Sequence, residues 1–379
     1  MPLPVDLFEK ENDLFEKDNF GSMAKKFMVL KNPFSKRRWR ILRFFIIGWT
    51  LSFLFLAIVR GVGTEEQGQL QFSFGFSIKV ALTLGPIMGL VSGLAQIIIE
   101  ERIYKYLPIQ RLLFIRFIYA SLFIMVLIVA AYGVYQLYIG TDMGIWDFAR
   151  DDGSAAIYFY VIFVDFFLSV LRQVNLMLGE GNLMKLLRGK FYTPREEARI
   201  FMFLDLQSST NLAERLGHIQ YSQLIQDCFN DLGIAVESGA EIYQYVGDEA
   251  VLTWPLQEGL QNQNCLRTFY GFKELLKKNG AYYRTKYECE PFFKAGIHAG
   301  VVTVTEVGKY KKEIAYHGDT INTAARIQGQ CNFFNEELLM SEYLKNQLNT
   351  KAFIFKPIGS VPLKGKKEDV PICSVSSNS

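Results

Sequence analysis

The sequence predicts two fold classes in one chain: an all-α four-helix transmembrane domain, then an α/β (α+β) domain with an antiparallel-rich sheet. Three observations predict this. Half of the 379 residues are hydrophobic, yet the long apolar runs all lie in the first half. Four of those runs are long enough to cross a bilayer as helices. From Ile200 onward, short strand-like apolar runs alternate instead with amphipathic stretches.

Taken in order, residues 1–40 form a polar, basic N-terminal segment with a tandem echo, DLFEKEN then DLFEKDN. Met23 is an alternative start. Lys36, Arg37, Arg38 and Arg40 precede the first apolar run and suit acidic lipid heads or a positive-inside anchor. The spans are read at 41–59, 76–99, 112–137 and 155–176, within a membrane domain at 41–177. Connections 64–71 and 138–154 are acidic or neutral on balance, whereas 100–111 carries Arg102, Lys105 and Arg111. The positive-inside rule then puts the N-terminus and the C-terminal half in the cytoplasm, with four spans in the inner or plasma membrane. Gly85, Gly89 and Gly93 recur at every fourth position of the second span, a smooth face for a neighbouring helix. Pro86 can kink that helix. Asp165 lies inside the fourth span, where a carboxylate is costly; it is functional or structurally paired.

Residues 178–199 form a linker, broken by Gly179 and Gly181 and stopped by Pro194, that could also act as a transmitting element. The second domain occupies 200–379. Its strands are read at 200–206, 242–246, 250–254, 292–298, 301–304, 313–316 and 338–340. Its helices are read at 221–237, 259–278, 320–328 and 342–347, covering one face of the sheet. The net charge of +3 is too small to argue for nucleic acid. The five cysteines are scattered without a CxxC pair, which argues against a zinc site and a disulfide framework.

Four elements carry chemistry. In IFMFLDLQSSTN an apolar run ends on Asp205, and Ser208, Ser209 and Thr210 can cap the helix that follows. A carboxylate beside free helix N–H groups suits a metal-bound polyphosphate. In IYQYVGDEAVLTW, Gly247-Asp248 is a hairpin tip, so Asp248 projects beyond a strand pair. In YHGDTINTAARIQG, Asn322 and Arg326 stand four apart on one helix face and can hold a sugar and a phosphate together. In VPLKGKKED, Lys364 places a cation on a turn. Each element alone has a plain structural reading: a capped turn, a common hairpin, a polar helix face, a basic loop.

Together and in this order, FxDLxxST, the GD hairpin, GIHAG, GDTINTAAR and LKGK resemble the catalytic domain of class III nucleotidyl cyclases, over about residues 199–374. The resemblance implies a ferredoxin-like palm that works as a head-to-tail homodimer with two shared active sites. Asp205, with Leu206, and Asp248 would hold two ions, Mg²⁺ or Mn²⁺, per site. Asn322 and Arg326 of the other chain would orient the ribose and stabilise the phosphate, and Lys364 would bind the outer phosphates. Ser208, Ser209 and Thr210, beside them, would also bind substrate. His298 and His317 would be structural. The membrane half carries no comparable motif.

Two positions depart from the family pattern. Where adenylyl cyclases of this class commonly place a base-reading Lys, this chain has Gln244. Where they place Asp or Thr, it has Ala315. A Gln amide can pair with adenine or, flipped, with guanine. ATP is the expected substrate, because a GTP enzyme would be expected to carry Glu at position 244. Guanylyl cyclase activity is the alternative, followed by a diguanylate cyclase or a nucleotide-binding pseudo-cyclase.

Overall fold

The computed structural model describes residues 36–61, 74–103, 109–138, 140, 143–151, 153–179, 181–348, 352–366 and 368–377. The tandem N-terminal echo lies outside the described residues. The chain divides into two compact units, Met1–Leu168 and Ser169–Ser379.

In the first unit, α1 (Lys36–Gly61), α2 (Phe74–Ile98), α3 (Ile109–Tyr138) and α4 (Ser154–Met177) occupy the four expected spans. All four are long and apolar enough to cross a membrane. Phe45, Trp49, Phe53, Met88 and Phe123 fill the bundle core, while Leu51, Phe55, Leu122, Met125 and Phe163 are exposed outside it. A helix that is apolar all round suits hydrocarbon better than water. The glycine stripe works as expected. A Cβ at Gly85 would lie 2.6 Å from Thr50 Cα, and one at Gly89 would lie 2.5 Å from Ile46 Cα. α1 therefore seats in a groove that only glycine leaves open. Asp165 accepts hydrogen bonds from Ser92 Oγ at 2.6 Å and Tyr119 Oη at 3.2 Å. Arg37 and Arg38 pair with Glu100 and Glu101, at 2.8 and 2.6 Å.

The second unit is built on one eight-stranded sheet. Its strands are β1 (Arg195–Leu206), β2 (Glu241–Val246), β3 (Glu249–Pro255), β4 (Phe293–Val307), β5 (Glu313–His317), β6 (Leu338–Ser341), β7 (Phe353–Val361) and β8 (Val370–Ser377). The order is β2-β3-β1-β4-β6-β8-β7, with β5 paired to β4. All pairs are antiparallel except β4 with β6. Besides the short helix Leu256–Leu260, which is separate from the helix read at 259–278, the helices are α5 (Asn182–Leu187), α6 (Ser209–Asp231), α7 (Asn264–Lys278), α8 (Gly280–Tyr287), α9 (Asp319–Gly329) and α10 (Glu342–Lys345). The run β1-α6-β2-β3-α7-β4, with sheet order β2-β3-β1-β4, is the ferredoxin-like split βαβ.

Several expectations are corrected. The strands read at 292–298 and 301–304 are one strand, β4, because Gly300 continues the ladder opposite Arg199 instead of ending it. β7 and β8 were not foreseen. The helix read from 221 starts at Ser209 and bends at Gly217 (φ 72°, ψ 166°). Helices cover both faces of the sheet, not one. Ile200, Met202, Leu204 and Leu206 face a core shared with α6 and α7. Phe201 and Phe203 face the other way, against Ala324 and Ala325 of α9.

If the glycine groove sets the α1–α2 distance, Gly89→Leu separates the helices. The expected result is a destabilisation of about 1–3 kcal/mol, read as a lowered melting temperature of the full chain in detergent. An unchanged melting temperature would refute the role of the groove.

Candidate active site

Strand alternation decides which way each residue of β1 points. The even positions from Ile200 to Leu206 enter the large core, so Asp205 projects on the opposite face, the one α9 covers. Asp205 pairs in register with Glu249 on one side and Lys294 on the other. Glu249 follows the Gly247-Asp248 tip, where Gly247 adopts φ 61°. The hairpin thus delivers Asp248 to Asp205. Burial first, and then the Asp248 carboxylate, hold the Asp205 pKa above its ordinary value. Burial with the same two carboxylates pushes Glu249 up to about 6.

This acidic corner asks for a cation. Like charges this close favour protonation unless positive charge offsets them. Among the described residues no group of three or more His, Cys, Asp or Glu surrounds one point, so the corner does not form a closed cage. Two carboxylates and open positions fit Mg²⁺ or Mn²⁺, which keep waters and take phosphate oxygens. Leu206 can contribute only a main-chain carbonyl, because its side chain is buried in the core.

The end of β1 runs straight into α6. Ser208 is the N-cap in a left-handed conformation (φ 60°), and its side chain makes no capping bond, contrary to the expected cap. Ser209 is half-buried and its hydroxyl bonds Tyr221, while Thr210 is exposed. The first-turn N–H groups of α6 therefore lie within five residues of Asp205.

α9 lies directly on β4. A Cβ at Gly296 would sit 2.1 Å from Gln328 N, and one at Gly300 would sit 2.4 Å from Thr320 Oγ1. These are the two glycines of GIHAG. The close approach brings the Gln328 side chain to Asp205, where its hydrogen bond favours the carboxylate form. Asn322 and Arg326 are about 40° apart around α9, and Gln328 is about 200° on from Arg326. Asn322 and Arg326 therefore face away from the Asp205 of their own chain. Asn322 is exposed. Arg326 Nη1 is buried with no hydrogen-bond partner among the described residues. A Cβ at Gly365 would come within 3.4 Å of Arg326 Nη2, so the LKGK turn packs on the guanidinium. Lys364 on that turn is exposed. Lys366 instead bonds Asp319, holding its carboxyl below the usual range.

The structure also brings the strands bearing the two departing positions together. Tyr243 and Tyr316 meet edge-to-face at 4.9 Å. Their chain neighbours Gln244, exposed, and Ala315, half-buried, flank this contact. Beneath it, Arg199 stacks on Tyr316 at 4.9 Å and bonds Glu241 (2.8 Å), Glu197 (3.0 Å) and Thr253 (3.0 Å). Glu241 also takes Lys185 of α5 at 3.0 Å. Sequence reasoning missed Glu249, Gln328 and Arg199. The DE dipeptide was a signal for Glu249, and a polar residue two past Arg326 was one for Gln328. Nothing local marked Arg199.

Residues 191–372 match the adenylate and guanylate cyclase catalytic domain family. Adenylate cyclase 2 of Rhizobium meliloti (strain 1021) is 32% identical over 209 residues, 55% of this chain and 58% of that protein. Adenylate cyclase of Anabaena cylindrica is 25% identical over 187 residues, 46% of this chain and 36% of that protein. The chain thus spans 58% or less of the length of these relatives. Among solved structures, the adenylyl cyclase CyaB from P. aeruginosa is 20% identical with a TM-score of 0.43, over 49% of this chain and 97% of that one. A bacterial light-regulated adenylyl cyclase is 17% identical with a TM-score of 0.49, over 57% and 62%.

His298 offers a test of this geometry. Its Nδ1 lies 2.7 Å from Ser341 Oγ, and burial lowers its pKa from 6.5 to about 4. The unfolded chain binds that proton first, so stability falls as pH drops from 6.5 toward 4 and levels below that. The expected loss is roughly 3 kcal/mol, measured by hydrogen exchange at β4. His298→Gln should remove most of that slope; an unchanged slope would show that His298 is not its source.

Proposed function

From the premise that residues 191–372 belong to the adenylate and guanylate cyclase catalytic domain family, we propose that the chain converts ATP to 3′,5′-cyclic AMP and pyrophosphate. It does so as a membrane-anchored homodimer, with the N-terminus and the catalytic half in the cytoplasm. The observation that carries the reading is the split of the machinery across α9. The carboxylates Asp205 and Asp248 meet on one side, and Arg326, whose Nη1 has no partner among the described residues, lies on the other. One chain holds two half-sites. A second copy, placed head to tail, joins them.

In the joined site Asp205 and Asp248, with the Leu206 carbonyl beside them, would hold Mg²⁺ or Mn²⁺, which would supply Lewis-acid activation of the 3′-hydroxyl and charge neutralisation at the triphosphate. The 3′-oxygen attacks the α-phosphorus, its proton leaves to solvent, and the bond to pyrophosphate breaks. Asn322 of the other chain orients the ribose. Arg326 gives its unpartnered N–H to the oxygens that gain charge at the α-phosphorus. Lys364 and the N–H groups at the start of α6 receive the outer phosphates. Gln244 reads the base edge, and Ala315 leaves its neighbouring position without a polar side chain. GTP is the second substrate to test, because the Gln amide serves either base.

Four measurements check this reading. Side-by-side assays of the full chain with Mn²⁺ should give cyclic AMP faster than cyclic GMP. A dominant cyclic GMP product would reverse the assignment, and cyclic di-GMP or no product would end it. Arg326→Ala should cost roughly 100-fold in kcat. Asp205→Ala and Asn322→Ala chains, each inactive alone, should recover activity when mixed, through one complete site per dimer. A mixture that stays dead rules out the shared site. Gln244→Lys should raise the ATP:GTP ratio of kcat/KM, and an unmoved ratio would take base reading away from this position.

A further inference from the structure

Strand register brings two separate stretches of chain to one end of the second unit. β1 begins at Arg195, where the linker enters, and Arg195 pairs with Val304 of β4. β4 runs on to Val307, and β5 returns from Glu313. The turn between them, GKYKK at 308–312, therefore overhangs the start of β1. The linker covers its root. Glu306 N–H donates to Phe191 O at 2.9 Å, and Phe191 is buried with Leu186 against Val302 and Val304. Asp205 lies at the other end of β1, about 34 Å away at the usual rise of a strand.

This end exposes large side chains that the cyclase chemistry does not use. Tyr310 is 96% exposed, Tyr192 83%, Leu187 74% and Met184 53%. On α5, Met184 and Leu187 stand about 60° apart, with Leu186 on the opposite side. One face of α5 thus enters the core and the other has nothing to cover it. Cations lie beside these apolar groups. Residues 178–192 and 308–312 hold six basic residues and one acidic residue, Glu180. Lys185, Lys190 and Lys312 are paired with Glu241, Glu197 and Glu306. Lys311 meets Glu313 in a pair open to water, which holds it weakly. Arg188, at the end of α5, and Lys309 are exposed and form no ion pair among the described residues.

We propose that this end of the second unit docks on an anionic lipid surface. Met184, Leu187, Tyr192 and Tyr310 enter the headgroup layer, and Arg188, Lys309 and Lys311 meet the acidic lipid phosphates. The proposal rests on reading α4 as a membrane span. Covalent continuity makes lipid the partner within reach. α4 ends at Met177, and its last turn is tied to α5: Asn182 Nδ2 donates to Leu178 O at 3.0 Å, and Gly181 N–H donates to Asn175 Oδ1 at 3.3 Å. α5 is tied in turn to β2 through Lys185 and Glu241 at 3.0 Å. The exposed groups are the kinds that settle at a bilayer surface. Tyrosine places its ring among the headgroups with its hydroxyl in water, and cations beside a span are drawn to acidic lipids. A tether this short keeps the local lipid concentration high, so a few such contacts suffice. Docked this way, the unit carries the Asp205 end of β1 away from the lipid, where nucleotide reaches it from water.

The experiment uses the full chain in lipid nanodiscs without nucleotide, so its outcome does not depend on the cyclase reading. Four native cysteines are buried and Cys289 is half-buried, so bimane-treated wild type serves as the blank. Thr193→Cys, exposed beside Tyr192, carries bimane at the docking end. Phe163→Cys carries it on the exposed face of α4. Lipids with a nitroxide on the headgroup should quench bimane at position 193, about twofold more in discs containing phosphatidylglycerol than in phosphatidylcholine alone. Arg188→Gln combined with Lys309→Gln should remove that difference. Leu187→Ser and, separately, Tyr310→Ser should lower quenching in both discs; these side chains are exposed, so neither change opens the core. No quenching at 193, while mid-chain nitroxides quench at 163, would overturn the docking and leave the span standing. No quenching at 163 would remove the span, and the docking with it. Equal quenching in the two discs would overturn the anionic preference. Quenching that survives both serine variants would overturn the assignment to this face. An equal bimane blue shift in detergent and in both discs, without quenching, would mean that a second copy covers the face, and would overturn the proposal as well.

Discussion

The second unit depends on one contact: α9 lies against β4 where Gly296 and Gly300 contribute no side chain. At Gly296 and Gly300 the helix occupies the space where Cβ atoms would be, 2.1 and 2.4 Å from Gln328 N and Thr320 Oγ1. Thr320 Oγ1 adds a hydrogen bond to Val301 O at 2.9 Å. Any side chain at Gly296 would lift the helix off the sheet. Gln328 would then leave Asp205, and the turn at Gly365 would lose its place on Arg326. The GIHAG motif is therefore a seat for the helix that carries Asn322 and Arg326. Its glycines make no chemical contribution of their own.

That seat has a second consequence. A helix fixed by one face shows its other residues in fixed directions. Gln328 turns toward the carboxylates and Arg326 away from them, so a single chain separates the anions from the cation that the chemistry pairs with them. The electrostatics agree from both sides. Burial and then Asp248 raise Asp205, and burial with Asp205 and Asp248 raises Glu249, which marks a concentration of negative charge. Arg326 Nη1 is buried with no partner among the described residues, which marks a donor without an acceptor there. Each costs stability alone, and each supplies what the other lacks.

The sequence made legible what rests on local pattern. The four spans, the glycine stripe, the strand ending at Asp205 and the hairpin carrying Asp248 all follow from hydropathy, spacing or turn chemistry. It was less legible where tertiary context overrides local signals. The helix after Asp205 was placed too late because Gly217 reads as a break, yet it bends the chain without ending the helix. β7 escaped notice because Pro357 and Gly359 interrupt its pattern; the register shifts between them and the ladder continues. Helices were assigned to one face because residues 320–328 read as a polar surface helix. Only the glycines of β4, whose meaning is long-range, say that it packs. Gln328 and Arg199 were invisible for the same reason: their partners lie 123 and 42 residues away in the chain, at Asp205 and Glu241.

Arg199 shows how the linker reaches the proposed base-reading strands. Lys185 of α5 bonds Glu241, Glu241 bonds Arg199, and Arg199 stacks on Tyr316, which meets Tyr243. Each link is short and partly or fully shielded from water, where charge-assisted bonds are stronger than at the surface. Removing Lys185 would leave Glu241 with Arg199 alone, so the pull on Arg199 would change while its burial stayed the same. Tyr316 and Tyr243 adjoin Ala315 and Gln244 in the chain. A displacement of α5 is thus felt first at the strands proposed to hold the base, on the same face of β1 as Asp205 but at the other end of that strand. On the proposed base assignment, the linker bears on nucleotide seating through Glu241, Arg199 and Tyr316.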